Sequence, residues 1–212
     1  MRRKHFVLSL VVLFALGAWA WQARRASWTP RNTPPRPGSI VAFGDSLTAG
    51  QGAPPDQSYP SHLARLIGRP VFNAGLPGAT SQAAAERLDE VRAVQPAIVI
   101  LLIGGNDYLQ RRDMDEAFVT IERMIAALQD DGVLVVLVGV EGVGPFARFG
   151  GRFRDLARRT RALYVPDVLD DILGRSDRMS DRIHPNAEGY RLMAERVASV
   201  LSPHLPPPET AP

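Results

Sequence analysis

Ala97-Ile-Val-Ile-Leu-Leu-Ile103 runs straight into Gly104-Gly105-Asn106-Asp107, and this stretch decides the fold. Seven apolar residues without a polar interruption match a strand covered on both faces, since a strand with one wet face would alternate. A second run of the same kind spans Val133 to Val140, and shorter ones occupy Ser39 to Phe43, Pro70 to Asn73 and Leu163 to Val165. Helical patterns lie between them. Tyr59 to Gly68 carries Leu63, Leu66 and Ile67 on one face and ends at Gly68. Ser81 to Val94 is amphipathic, and Met114 to Gln129 has a stripe of Phe118, Ile121, Ile125 and Leu128. Phe153 to Arg161 and Asn186 to Leu201 complete the set, the last facing inward through Tyr190, Met193, Val197 and Val200. This alternation predicts an α/β fold with a parallel sheet between two helix layers. Such sheets bind ligands beyond the carboxyl ends of their strands.

The Gly-Gly-Asn-Asp at the end of the central strand is one of four short motifs in fixed order. The others are GDSLTAG (44–50), NAGLPGAT (73–80) and DRIHPN (181–186). Three follow predicted strands and the fourth lies in the loop before the last helix, so the pattern places all four at one edge of the sheet. Together they supply Ser46, a glycine, Asn106, and Asp181 three residues before His184. A nucleophile, a base, a group that orients the base and donors for an oxyanion are the parts of acyl transfer. Asp181 can reach His184 Nδ1 and leave Nε2 to face Ser46, with Pro185 pushing the histidine toward extended backbone. Singly, each motif has a plainer reading: Ser46 as a helix cap, Gly75 or Gly78 as turn glycines, Asn106 as a turn asparagine, Asp181 as a helix cap beside a surface histidine. Tyr108 and Leu109, after the third motif, are candidates to line an acyl pocket.

Composition removes several alternatives. The 212 residues include no cysteine, which excludes disulfides, thiolate metal sites and a cysteine nucleophile, and Lys4 is the only lysine. Aspartate and histidine are metal ligands, but no third ligand cluster accompanies them, and His5, His62 and His204 lie elsewhere. No metal and no cofactor are therefore expected. The formal charge of +3 belongs to the first 36 residues, which hold seven basic residues and no acidic ones. From residue 37 onward 18 basic residues face 22 acidic ones, a net of −4, which argues against nucleic acid as a partner.

Residues 1–27 read as a signal peptide or an N-terminal membrane anchor. Arg2, Arg3 and Lys4 precede an uncharged apolar run from Phe6 to Trp21, and Ala18-Trp19-Ala20 has the small-x-small form of a cleavage site. Arg24 and Arg25 just beyond it suit an uncleaved anchor. The expected location is periplasmic or secreted, or tied to the inner membrane. Residues 28–38 are a proline-rich, semi-rigid linker, 39–202 the globular domain, and 203–212 a proline-rich tail expected to be disordered.

The four motifs resemble blocks I, II, III and V of the SGNH, or GDSL, hydrolase superfamily, and the likeness runs from Ser39 to about Leu201. Within it the chain is most similar to the bacterial acyl-CoA thioesterase I/lysophospholipase and arylesterase branch. The resemblance implies a flavodoxin-like α/β/α sandwich with five parallel strands. It implies Ser46 as nucleophile, His184 as general base and Asp181 as the residue that orients it. The N–H groups of Ser46 and Gly78 with the side chain of Asn106 would form the oxyanion hole. Gly78 rather than Gly75 is selected because the family's glycine lies five positions after the block's asparagine, Asn73. The implied substrates are aryl or short-chain esters, acyl thioesters or lysophospholipids, acted on by a monomer. A carbohydrate O-acetyl esterase is the second enzymatic reading, and a tethered non-catalytic binding module on the same fold is the alternative of a different class.

Overall fold

The computed structural model describes residues 28–140 and 149–206; the expected leader at 1–27 and the end of the tail lie outside the described residues. Five strands run in chain order as β1 (Ile40–Gly44), β2 (Val71–Gly75), β3 (Ile98–Leu102), β4 (Leu134–Val138) and β5 (Leu163–Val165). Every pairing is parallel and the spatial order is β2-β1-β3-β4-β5. This is the flavodoxin-like order, and it reverses direction between β1 and β3, where the crossovers leave opposite faces of the sheet and open a crevice. The helices are α1 (Ser46–Ala49), α2 (Tyr59–Ile67), α3 (Ser81–Glu86), α4 (Leu88–Ala93), α5 (Gly105–Leu109), α6 (Met114–Asp130), α7 (Gly150–Thr160) and α8 (Ala187–Leu201).

The central strands have no wet face, as their composition requires. In β1, β3 and β4 every residue is buried. Alternate residues divide between two cores. Ile40, Ala42, Ile98, Ile100, Leu134 and Val136 pack on one side with Leu63 of α2 and Met193 and Val197 of α8. Val41, Phe43, Val99, Leu101, Val135 and Leu137 pack on the other with Ile121, Ile125 and Leu128 of α6 and with Leu156 of α7. Burying each such aliphatic side chain contributes roughly 1.5–3 kcal/mol before chain entropy is counted, so the doubly covered strands are the stable frame on which the carboxyl-edge loops are mounted.

Three expectations change. The helix expected over Ser81 to Val94 is two short helices that meet at Arg87 (φ −99°, ψ 2°), whose side chain turns to the Ala74 carbonyl and Glu90. In α2 the expected apolar face is only partly covered: Leu63 is fully buried, but Leu66 is 52% exposed because the helix packs between α8 and edge strand β2 and no described residue covers its outer side. The segment expected as a linker is docked. Trp28 donates its indole N–H to the Ala162 carbonyl (2.6 Å), Asn32 donates to the Gln129 and Val133 carbonyls, and Arg36 donates to that of Pro96. Those acceptors precede β5, β4 and β3, so residues 28–36 cross the amino-terminal edge of the sheet, opposite the four motifs. The start of the tail is held there too, with His204 bonded to Thr33 and the Pro206 carbonyl to Arg69.

Candidate active site

Each motif forms its site from local rules. β1 ends at Gly44, Asp45 caps α1 by accepting the Leu47 N–H (3.0 Å), and Ser46 becomes the first residue of that helix. A first-turn residue has no intrahelical partner for its N–H, so that of Ser46 is available. Gly44 is needed for close packing, because a Cβ there would lie 2.1 Å from the Leu102 carbonyl oxygen. In the second motif Leu76, Pro77, Gly78 and Ala79 make a turn closed by Ala79 N–H to Leu76 O (3.1 Å), with φ +78° at Gly78. Proline followed by a positive-φ glycine is the chemistry of a type II turn. The turn's hydrogen bond leaves the Gly78 N–H outside it.

The fourth motif is built on one carboxylate. Asp181 Oδ1 accepts the N–H groups of Ile183 and His184, both at 2.7 Å, closing an Asx-type turn. Its Oδ2 lies 2.8 Å from His184 Nδ1, and His184 Nε2 lies 3.1 Å from Ser46 Oγ. Three residues of spacing suffice because a single side chain bends the backbone and meets the ring. Pro185 precedes the helix by one residue more than expected: Asn186 is the cap of α8, accepting the Gly189 N–H. The loop is pressed close by Gly52, where a Cβ would fall 2.7 Å from the Pro185 oxygen and 3.1 Å from His184 Cβ.

Charge follows from these contacts. The His184 ring, then the two backbone N–H groups, hold the Asp181 carboxyl down at about 2. Asp181 is therefore ionised and accepts only, which puts the imidazole proton on Nδ1 and leaves Nε2 as the acceptor for the Ser46 hydroxyl. Burial acts the other way on Asp45, which is 3% exposed: loss of solvation raises it to about 7, against the lowering effect of the Leu47 N–H and the nearby His184. Between pH 4 and 7 the folded protein therefore holds a proton at Asp45 that the unfolded chain releases. The stability this contributes is complete below about pH 4 and is lost as pH rises through 7. Asp45→Asn, which keeps an acceptor for Leu47, should remove that pH dependence, which amounts to at most about 4 kcal/mol over the whole interval from pH 4 to 7. Urea unfolding of both proteins at pH 5 and pH 8 measures it, and identical slopes would refute the assignment.

Asn106, in α5 at the end of β3, completes the group. One N–H of its amide goes to the Ala79 carbonyl (2.9 Å), and the amide borders the cavity above Ser46. That cavity holds about 330 Å³ and is walled by Leu47, Leu109, Val140, Leu169, Leu173 and Ile183. Of the two residues expected to line an acyl pocket, Leu109 borders this cavity. Tyr108 instead packs edge-on against Phe149 at 5.4 Å and borders a neighbouring cavity. Among the described residues no cluster of histidine and carboxylate side chains could hold a metal ion. Sequence reasoning missed Asp45 and Gly52. Asp45 lay inside a motif read for its serine, and Gly52 stands only two residues beyond Gly50.

Asp181, His184 and Ser46 thus stand in hydrogen-bonding sequence at the crevice where the strand order reverses. The chain belongs to the GDSL-like lipase/acylhydrolase family, whose model matches residues 42–192, and it is a hydrolase. It is 28% identical to an arylesterase of Vibrio mimicus over 94% of this chain and 98% of that one. It is 26% identical to the esterase TesA of Pseudomonas aeruginosa over 79% of this chain and 89% of the relative. Among solved structures it superposes on a crystal structure of TesA with a TM-score of 0.72 at 27% identity, covering 79% of this chain and 99% of that one. AlinE4, an SGNH-hydrolase family esterase, gives a TM-score of 0.62 at 31% identity, covering 79% of this chain and 94% of that one.

Proposed function

We propose that this chain hydrolyses carboxylic esters through an acyl-enzyme on Ser46. The observation that carries this is the relay of Asp181 Oδ2 to His184 Nδ1 at 2.8 Å and His184 Nε2 to Ser46 Oγ at 3.1 Å. His184 takes the serine proton as Oγ attacks the ester carbonyl, then returns it to the departing alkoxide. The oxyanion is received by the N–H groups of Ser46 and Gly78 and by the second amide N–H of Asn106, the first being held by the Ala79 carbonyl. Water, deprotonated by His184, then cleaves the acyl-enzyme and regenerates the serine. Asp181 stays ionised and stabilises the imidazolium formed in both halves.

The acyl group occupies the apolar cavity. Aryl esters, suggested by the name of the Vibrio mimicus relative, and the short-chain esters and acyl thioesters that the motif resemblance implies all offer the apolar group that Leu47, Leu109, Leu169, Leu173 and Ile183 can cover. A sugar acetate fits less well, because this lining offers few hydrogen-bonding side chains to its hydroxyls. Export fits residues 1–27, and the docking of residues 28–36 at the opposite sheet edge would leave the cavity facing away from any membrane to which that leader tied the domain. Reaction with a fluorophosphonate probe tests the chemistry. The protein should label, Ser46→Ala should not, and prior hydrolysis-competent ester should protect. Equal labelling of Ser46→Ala would move the nucleophile elsewhere.

A further inference from the structure

We propose that Asp107, with Gln110, is a positioning residue that holds the oxyanion-binding turn against Asn106. The proposal rests on the oxyanion assignment above and concerns what keeps its two donors in register.

Asp107 has no contact with the Ser46–His184–Asp181 relay. It is 3% exposed, and both its oxygens are spent on Ser81: Oδ2 accepts the Ser81 N–H at 2.8 Å and Oδ1 accepts the Ser81 hydroxyl at 2.7 Å. Ser81 is itself 2% exposed and opens α3 immediately after the Leu76–Ala79 turn. A carboxylate at a helix start satisfies an orphan N–H and meets the positive end of the backbone dipoles. The same short helix, α5, and its C-cap residue make two more bonds to the same segment. Asn106 donates to the Ala79 carbonyl (2.9 Å) and Gln110 donates to the Gly78 carbonyl (3.3 Å). Two side chains of α5 and that of its C-cap residue, Gln110, therefore grip residues 78, 79 and 81.

This geometry matters because Gly78 has no side chain to hold it. Among the described residues a Cβ at Gly78 would meet nothing within 4 Å, so packing does not hold this residue itself, although Ala79 beside it is buried in the core. Its N–H is placed from one side by the Pro77–Gly78 backbone and from the other by bonds to α5. Asn106, the second donor, stands on the helix that supplies those bonds, so the grip fixes one donor relative to the other. Hydrogen-bond donors accelerate acyl transfer only when they already point at the developing charge. A shift of about 1 Å in such a group can cost on the order of 10²-fold in rate.

The test measures kcat, KM, the thermal midpoint and inhibition by an acyl trifluoromethyl ketone, whose hemiketal oxyanion uses the same donors. Asp107→Ala should lower kcat by about 10- to 100-fold with KM little changed, and weaken the inhibitor in the same proportion. Asp107→Asn, which can still accept the Ser81 N–H, should restore most of both. Gln110 is exposed, so Gln110→Ala should keep the thermal midpoint and lose roughly 3- to 10-fold in kcat, which provides a readout should Asp107→Ala fail to fold. A lowered midpoint with kcat and inhibition unchanged in these variants would make the Asp107–Ser81 pair structural only and overturn the proposal. Asn106→Ala separates the two layers of argument. If it loses about 10²- to 10³-fold while Asp107 and Gln110 variants lose nothing, the positioning role alone fails. If Asn106→Ala loses nothing either, the oxyanion assignment fails with it.

Discussion

Replacing His184 by alanine is expected to lower kcat for p-nitrophenyl butyrate by roughly 10⁴- to 10⁶-fold. Among the described residues the imidazole is the group placed to take the Ser46 proton, with Nε2 at 3.1 Å from Oγ. Ser46→Ala should cost as much, and the double variant should cost no more than either single one, because the two residues act as a unit. Asp181→Asn should be milder, roughly 10²- to 10⁴-fold. Its side chain is 53% exposed, so water can supply part of the stabilisation of the imidazolium. The amide would also turn its N–H₂ or oxygen toward Nδ1, and an N–H₂ there favours the wrong tautomer. The unfolding midpoint should stay near wild type for His184→Ala, since removing the ring leaves the Asp181 carboxylate facing solvent. A variant that keeps more than a tenth of kcat would mean that another base serves Ser46.

Gly75→Ala should abolish both folding stability and activity, whereas Gly78→Ala should remain folded. A Cβ at Gly75 would stand 2.2 Å from the Ala49 nitrogen and 2.7 Å from the Ala49 Cα and the Thr48 carbonyl carbon. Those are backbone atoms of α1, the helix that carries Ser46, so relief requires moving the nucleophile or prying β2 from β1. Overpacking against a rigid backbone costs about 1–3 kcal/mol and sometimes more, and here it falls on three atoms at once. Asn73 already clamps the same place, donating to the Thr48 carbonyl and accepting the Gly75 N–H. Gly78→Ala meets no neighbour, and its penalty is that of a side chain at φ +78°, roughly 1–2 kcal/mol. Its N–H survives but tilts as the turn relaxes, so a loss in kcat should accompany a small loss in stability. Chemical unfolding and kcat measured on both variants decide the matter. Equal stability loss in the two would show that Gly75 does not carry the packing.

The same pair of glycines shows where sequence reading stops. Motif spacing singled out Gly78 as the oxyanion donor by resemblance, yet nothing in NAGLPGAT says that Gly75 is pressed against α1 while a Cβ at Gly78 would meet nothing within 4 Å among the described residues. The central strands were legible because complete burial of β3 and β4 demands unbroken apolar runs. Leu66 shares the apolar face of its helix and is still exposed, because helical periodicity describes a face, not the neighbour that covers it. The break at Arg87 was missed for a related reason: the apolar pattern continues through it, while the side chain finds a partner on β2.

By itself the sequence determined the alternation of strands and helices, the four motifs, and the edge at which they gather. Each is a local property, set by hydrophobic period and turn chemistry, and the parallel-sheet rule carries them into space. Only the tertiary structure decided which groups meet across long chain separations. Asp107 finds Ser81 from 26 positions away, Asp45 loses its solvent, and residues 28–36 bind the edge opposite the cavity. Those outcomes depend on desolvation and on distances of a few tenths of an ångström, which no linear pattern of residue types encodes.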